Sequence, residues 1–444
     1  MQILLPGEVK KIIGILEEKG YEAYAVGGCV RDSILGREPD DWDITTSANP
    51  YQVKELFKRT VDTGLQHGTV TVLMNGEGYE VTTYRIDGEY EDGRHPREVV
   101  FTASLQEDLK RRDFTINAMA YSESQGLVDA FGGMEDLERG IIRCVGEPRE
   151  RFSEDALRIL RAVRFGAQLG FEIHHRTKEA VRELAENLSL VSAERIQVEM
   201  IKLLCSPHPE YLRTAWELGI TQVVIPEFDA MMDTAQNTPH HDLSVGEHTL
   251  KALGHIRSEK VQRLSVLLHD VGKPMVRSTD EEGRDHFYGH GDVSMEMAGE
   301  ILRRWRMDNE TLRRVTKLVR YHDLRYSLTD RSVRRMVNRV GQELFLPLLE
   351  VQRADILAQS EYRRTEKLET LRQVRGLYQK ILERQECLCL KDLAVTGRDL
   401  IQDGMAPGPQ LGQVLDRLLE HVLEEPQHNT KEYLVDYARQ LRGV

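Results

Sequence analysis

The chain has 444 residues, 40% hydrophobic and 30% charged, with a net charge of −13. Such a length exceeds one ordinary domain and suits two to four, in a globular rather than a disordered composition. The acidic balance excludes a protein that coats nucleic acid non-specifically, because phosphate binding draws on positive surface; a local basic face is still allowed. Residues 8–19 read as an amphipathic helix, and Glu22–Val26 as a strand ending at Gly27-Gly28. A short helix is expected next, then a strand over Asp41–Thr45 and a helix after Pro50. Residues 69–74 and 79–86 read as strands joined by a turn at Gly76-Glu77-Gly78. After about residue 150 helical periodicities take over, broken at Ser206-Pro207, Asn237–Pro239 and Gly404–Pro409.

The densest segment is Gly27-Gly28-Cys29-Val30-Arg31-Asp32, continuing through Gly36 to Asp41-Trp42-Asp43. On a strand, positions i and i+2 point the same way, so Asp41 and Asp43 are expected side by side. Two such carboxylates repel unless a cation lies between them, and Mg²⁺ is the hard cation that also prefers phosphates. Gly28 at a strand-to-helix turn can aim bare N–H groups at an anion, and Arg31 adds a charged donor. Together these are the parts for holding a metal–triphosphate and activating a hydroxyl. An Asp-x-Asp or a Gly-Gly alone is ordinarily a solvated pair or a turn; their ordered conjunction is what points to chemistry.

Gly27-Gly28-x-Val30-Arg31-Asp32 with Leu35-Gly36 and Asp41-x-Asp43 resembles the signature of polymerase-β-like nucleotidyltransferases. It is most similar to the class II branch that contains CCA-adding enzymes and bacterial poly(A) polymerases. The resemblance implies an α+β protein: a small head with a mixed sheet, then an all-α neck, body and tail. The segments expected are 1–145 (head), 146–205 (neck), 206–362 (body) and 363–444 (tail). It further implies Mg²⁺ on Asp41 and Asp43, and attack of a tRNA 3′-hydroxyl on the α-phosphate of CTP or ATP, pyrophosphate leaving. Glu80 is expected where a third carboxylate could approach the pair. Arg111-Arg112-Asp113-Phe114-Thr115-Ile116-Asn117 resembles the family's ribose-reading motif, with Asp113 and Asn117 toward a 2′-hydroxyl and Arg112 toward a phosphate. The polar stretch from Arg85 to Pro96 reads as a mobile loop that enzymes adding the final A carry. Asp129 to Leu137 resembles the hinge between head and neck.

Ser153-Glu154-Asp155-Ala156-Leu157-Arg158 reads as a helix start capped by Ser153, with Asp155 and Arg158 three apart on one face. Cytosine and adenine each present an amino donor beside a ring acceptor, which an aspartate next to an arginine complements. Uracil and guanine show the reverse order, and each unpaired buried polar group costs roughly 1–3 kcal/mol. The pair therefore suits CTP and ATP, in agreement with the amino-acid template Glu-Asp-x-x-Arg of the family. By resemblance Arg161 and Arg164 help bind the nucleotide phosphates, and Glu194 to Leu204 supports the template helix.

Farther on, His248, His269-Asp270, His290, His322 and Asp355 fall in order on expected helices. One buried histidine is ordinarily a core residue; six positions in order resemble the HD phosphohydrolase superfamily, whose ligands bind one or two divalent metals. Imidazole with carboxylate suits Ni, Mn, Co, Fe or Zn, and metal-activated water attacks a phosphate ester. A secondary phosphohydrolase is therefore expected. By resemblance the tail, through Gly397-Arg398-Asp399 and the Gly404–Gly412 turn, grips tRNA.

No run approaches the roughly 20 apolar residues of a membrane span, so no membrane partner is expected. The start MQILLPGEVKK lacks signal-peptide character, and five scattered cysteines without metal-site spacing suit a reducing cytoplasm. A poly(A) polymerase would carry a basic C-terminus, which this acidic chain lacks. Two alternatives stay open: an enzyme adding only the terminal A, and a metal phosphohydrolase whose head senses nucleotides.

Overall fold

The computed structural model describes residues 2–87 and 99–442, so the stretch from Gly88 to Pro96 of the expected loop lies outside the described residues. The chain divides into two compact units, Met1–Pro226 and Glu227–Val444.

The first unit opens with α1 (Gly7–Glu18), whose Val9, Ile12, Ile13 and Leu16 form one buried stripe at helical spacing. Its strands, in chain order, are β1 (Ala23–Val26), β2 (Ile44–Thr46), β3 (Thr60–Gly64), β4 (Thr69–Met74), β5 (Glu77–Thr83), β6 (Arg85–Asp87), β7 (Val99–Phe101), β8 (Met119–Ser122) and β9 (Gly126–Asp129). Seven of them form one mixed sheet in the order β3-β4-β5-β2-β1-β8-β9, with β2 parallel to β5. Around it lie α2 (Gly28–Ile34), α3 (Pro50–Leu56), α4 (Leu105–Lys110) and α5 (Gly133–Arg139). The α+β head with a mixed sheet is thus as expected.

Two local expectations shift. The β4–β5 turn is Asn75-Gly76, both at positive φ, because Met74 pairs with Glu77. Asn-Gly is the sequence best suited to that two-residue turn. And β2 starts at Ile44, so Asp41 and Asp43 stand on the extended approach to the strand, not within it. Strands β3, β8 and β9 carry no clear alternation: β8 is buried at all four positions and β3 is mostly exposed.

Helices α6 (Pro148–Glu154), α7 (Leu157–Leu169), α8 (His175–Leu184), α9 (Ala193–Leu204), α10 (Tyr211–Glu217) and α11 (Thr221–Val224) complete the unit. Two-residue strands Ile141–Ile142 and Glu172–Ile173 pair in parallel beside them, a small exception to an all-helical neck. Helix α7 buries ten of its residues and packs on α9, so the arginines of α7 lie between two apolar helices.

The second unit is helical: α12 (Pro226–Asp233), α13 (Val245–Leu253), α14 (Lys260–Leu268), α15 (Lys273–Val276), α16 (His290–Arg304), α17 (Asn309–Tyr321), α18 (Asp330–Val340), α19 (Gln342–Ala358), α20 (Arg364–Glu383), α21 (Gly397–Gln402), α22 (Pro409–Glu424) and α23 (Lys431–Arg442). A short hairpin, Ser278–Thr279 with Asp285–His286, interrupts it. The expected breaks coincide with gaps after α9, after α12 and between α21 and α22. Among the described residues no helix is long and apolar enough to cross a membrane.

Candidate active site and candidate metal centre

At the end of β1 the chain turns through Gly27, at φ 84°, where an added Cβ would meet Nη1 of Arg112 at 3.0 Å. Only glycine has both the conformation and the space. The parallel register that sets Ile44 beside Val81 sets Asp43 beside Glu80 one step earlier. Asp41, Asp43 and Glu80 are all open to solvent, the first two just before β2 and the third on its neighbour β5. The Asp43 pKa is raised by burial against the protein and by the charge of Asp41, with Arg112 opposing. The Glu80 pKa is raised by burial and then by Asp43 and Asp41. Asp43 thus feels the charge of Asp41, and Glu80 those of Asp43 and Asp41, and carboxylate oxygens gathered in this way suit a hard dication.

Arg31 is buried, with two bonds to Asp32 at 2.9 and 2.7 Å and one from Nη1 to Asn117 Oδ1 at 2.6 Å. Asn117 donates to Asp113 Oδ1 at 3.0 Å, and Arg161 grips Asp113 Oδ2 with Nε at 2.9 Å and Nη2 at 2.6 Å. Burial raises the Asp113 pKa, but the Arg161 charge and these bonds hold it far below the usual carboxylate range. Arg161 reaches Glu199 at 3.5 Å, and Arg164, buried, bonds Glu199 at 2.6 Å and Gln168 at 2.9 Å. The phosphate-binding candidates Arg31, Arg161 and Arg164 thus each carry a matched acid, while Nε of Arg112 is buried without a hydrogen-bond partner.

The neck differs from expectation. Ser153 lies in the last turn of α6, which Pro148 opens at its first position. Asp155 is extended, at φ −143° and ψ 103°, in the break before α7, and accepts from Leu157 N at 3.1 Å. Ser153 therefore caps no helix; Ala156 is the N-cap residue of α7, with no side-chain cap, and the Asp155 carboxylate takes one amide of its first turn. Arg195 on α9 holds Asp155 at 2.7 Å. Arg158 donates to Glu154 at 2.6 Å and to the carbonyls of Arg151 and Arg111 at 3.1 and 2.9 Å. Sequence reasoning passed over Asp108, a fully buried carboxylate that takes Thr45 at 3.2 Å, Arg111 at 3.0 Å and the Arg85 amide at 3.3 Å. Its spacing to Arg111 and Arg112, three and four residues on, was the available signal.

In the second unit all six expected ligands meet. His248 Nε2 lies 2.8 Å from Asp355 Oδ1 and 3.9 Å from Asp270 Oδ2, and His269 Nε2 lies 3.2 Å from Asp270 Oδ2. On the other oxygen of Asp270, His290 and His322 stand at 3.5 and 3.4 Å. His269, His290 and His322 bond the carbonyls of Val266, Phe287 and Val319 through Nδ1, which turns each Nε2 inward. Two ligand triads result, His248–His269–Asp270 and Asp270–His290–His322, sharing Asp270. His269 Nε2 and both Asp270 oxygens are buried without a well-formed hydrogen bond. Burial works against a charged His269, yet Asp270 and Asp355 hold its pKa up at about 10. Orphaned, converging N and O donors fit a divalent transition metal. Lys273, at 2.7 Å from Asp270 and 2.8 Å from Gln236, closes one side, a contact the sequence reading did not include.

The family Poly A polymerase head domain matches residues 23–143, and that of tRNA nucleotidyltransferase domain 2 matches residues 287–438. A CCA-adding enzyme of Lactiplantibacillus plantarum is 36% identical over 98% of this chain and 97% of its own. One of Levilactobacillus brevis is 38% identical over 96% of each. The solved structure of the Bacillus stearothermophilus CCA-adding enzyme in complex with CTP is 30% identical, with a TM-score of 0.72 over 99% of this chain and 98% of that one. A Thermotoga maritima CCA-adding enzyme complexed with tRNA, 20% identical with a TM-score of 0.56, shares the fold over the full length of both. By this likeness along nearly its whole length, the chain belongs to the family of CCA-adding tRNA nucleotidyltransferases.

Proposed function

We propose that this protein adds C, C and A to the 3′ end of tRNA from CTP and ATP, without a nucleic-acid template and with release of pyrophosphate. The observation that carries the reading is the meeting of Asp43 and Glu80 beside the start of β2, next to Asp41, where burial and then the charges of Asp43 and Asp41 raise the Glu80 pKa and a bound cation would offset those charges. Asp41 and Asp43 would hold Mg²⁺, which when bound supplies Lewis acidity at the α-phosphate and lowers the pKa of the attacking hydroxyl. Arg112, whose charge acts on Asp43, and the Gly28 turn take the triphosphate. Arg31, Arg161 and Arg164 reach it by exchanging Asp32, Asp113 and Glu199 for phosphate oxygens. Asp113 and Asn117 orient the ribose.

Asp155 and Arg158 read the base. A cytosine or adenine amino group donates to Asp155, which Arg195 orients, while Arg158 turns from Glu154 to donate to the ring nitrogen. Uracil and guanine put acceptor against acid and donor against guanidinium, each mismatch costing roughly 1–3 kcal/mol. The four segments expected from the sequence remain our division of labour: catalytic head, template neck, hydrolytic body, tRNA-holding tail. Free thiols suit a cytoplasmic location. The deciding experiment supplies labelled CTP or ATP with tRNA transcripts ending before CCA, after C and after CC. Addition of A to the last alone would replace this reading with an A-adding enzyme.

For the second unit we read a metal-dependent phosphohydrolase at the Asp270 cluster. His248, His269, Asp270 and Asp355 would hold one metal and Asp270, His290 and His322 a second, of the Ni, Mn, Co, Fe or Zn type. Bound metal supplies an activated water for phosphate-ester hydrolysis, and Lys273 stands ready for the developing negative charge. Purified protein with each metal, assayed on phosphate esters against His269→Ala, tests it; a wild type inert with every metal would end it.

A further inference from the structure

Two adjoining cavities in the second unit, of about 310 and about 340 Å³, share Arg339 in their walls. The first is lined by Arg331, Arg335 and Arg339 together with the hydroxyl residues Ser327, Thr329 and Ser332. The three arginines are four apart on α18 and all exposed, so they form one row with a step of about 6 Å along the helix. The opposite face of α18 buries Val333, Met336, Val337 and Val340, which fixes the row outward. A solvated helix face accounts for arginines on a surface. It does not account for their lining a concave site with three hydroxyl side chains. Glu424 is the acid that faces this row: its one carboxylate accepts from both Arg331, at 2.5 Å, and Arg335, so the row keeps a positive surplus.

The second cavity runs from Arg339 to His290 and Gly291, at the first turn of α16, and so reaches a member of the metal cluster. Charge is balanced there with Arg339 counted in, since Arg320 bonds Asp292 at 2.9 Å and Asp323 also lines the wall, which leaves the outer row one positive charge in excess, Arg331 and Arg335 against Glu424. Positive charge thus accumulates away from the cluster and falls toward it. A free mononucleotide would need only the inner cavity. A chain of phosphates needs the outer row as well, and regular guanidiniums with hydroxyl donors are the groups that track a backbone.

We propose that the groove from Arg331 through Arg335 and Arg339 to His290 binds the sugar–phosphate backbone of a single nucleic-acid strand and leads its end to the histidine–aspartate cluster. The substrate half of this proposal rests on the hydrolytic reading of that cluster; the binding half does not.

The test uses the full chain and a ten-residue oligouridylate with a 5′ fluorophore and a 3′ phosphate. Its affinity is read by anisotropy over a range of salt for wild type and for a variant carrying Arg331→Gln, Arg335→Gln and Arg339→Gln. The variant should bind about tenfold or more weakly, with a log–log salt slope flatter by about 2, as expected for three lost phosphate contacts. The matching triple Arg→Lys variant should retain binding, and thermal melts of both should match wild type, which separates lost contacts from lost folding. Unchanged affinity in the Gln variant overturns the groove whether or not the cluster hydrolyses anything. Displacement of the oligonucleotide by an equimolar oligoglutamate peptide also overturns it, in favour of an acidic peptide. Release of phosphate with added transition metal is then compared for the oligonucleotide and p-nitrophenyl phosphate. Loss on the oligonucleotide alone, through KM, supports the proposal, and equal loss on both contradicts it. Wild type that binds the strand but hydrolyses neither ester ends the cluster reading and leaves the binding groove standing.

Discussion

Nη2 of Arg195 lies 2.7 Å from Oδ2 of Asp155, so a residue of α9 aims the acid that the proposed function sets against the base. Asp155 has no helical backbone to fix it, since it sits in the break between α6 and α7. Arg195 and the Leu157 amide do that instead.

Arg195→Ala should therefore lower kcat/KM for CTP and ATP by roughly ten- to a hundredfold, the worth of a charge-assisted hydrogen bond. Misincorporation of UTP should rise at the same time, while Arg195→Lys recovers part of the selectivity. Single-nucleotide addition to transcripts ending before CCA measures both. An equal loss for every nucleotide would reduce Arg195 to a purely structural part.

Asp41→Ala should abolish nucleotidyl transfer while leaving metal-dependent hydrolysis in the second unit intact. Failure of both activities together would indicate misfolding and count against separate sites.

Asp43→Asn should raise the Tm of metal-free protein at pH 7 by roughly 1–3 °C. The Asp43 pKa is raised in the fold, so ionisation disfavours the folded state above that pKa. The difference should vanish as pH falls below the ordinary carboxylate range, where wild type is neutral too. Melts in EDTA at neutral and acidic pH show it; a variant less stable at pH 7 contradicts the repulsion argument.

Glu199→Gln should cost about 3 kcal/mol or more, because it leaves buried Arg164 without its charge partner. Chemical denaturation measures this. A loss below 1 kcal/mol would mean that Arg164 finds another acid or water.

Asp270→Asn should remove more metal than any single histidine change, because Asp270 alone belongs to both ligand triads. With the head site removed by Asp41→Ala, the protein should bind up to two equivalents of Ni²⁺ or Mn²⁺ by calorimetry, and with His322→Ala added about one. Equal stoichiometry in the three proteins would place the metal elsewhere.

Much of this protein is legible in its sequence where the chemistry is local. The Asp41-x-Asp43 spacing, the Gly27 turn, the His269-Asp270 pair and the row of arginines on α7 each have an ordinary use alone, and they point to chemistry only through their ordered conjunction along the chain. Helix α1 and strand β4 follow from periodicity alone. Ser153 misled because Ser, Glu and Asp in succession resemble a cap wherever the helix begins, and Pro148 had already begun one. Strand β8 was invisible because a four-residue strand buried on both faces has no alternation to read. Glu80 was expected near the pair from the sequence, and tertiary structure gives the reason, the parallel register of β2 and β5 that sets it beside Asp43. Tertiary structure alone paired Asp113 with Arg161, Asp155 with Arg195 and Glu199 with Arg164. Residue types and local spacing state which groups a chain can offer. Which of them meet is set by strand register and helix packing, where burial makes each charge seek the one partner within reach.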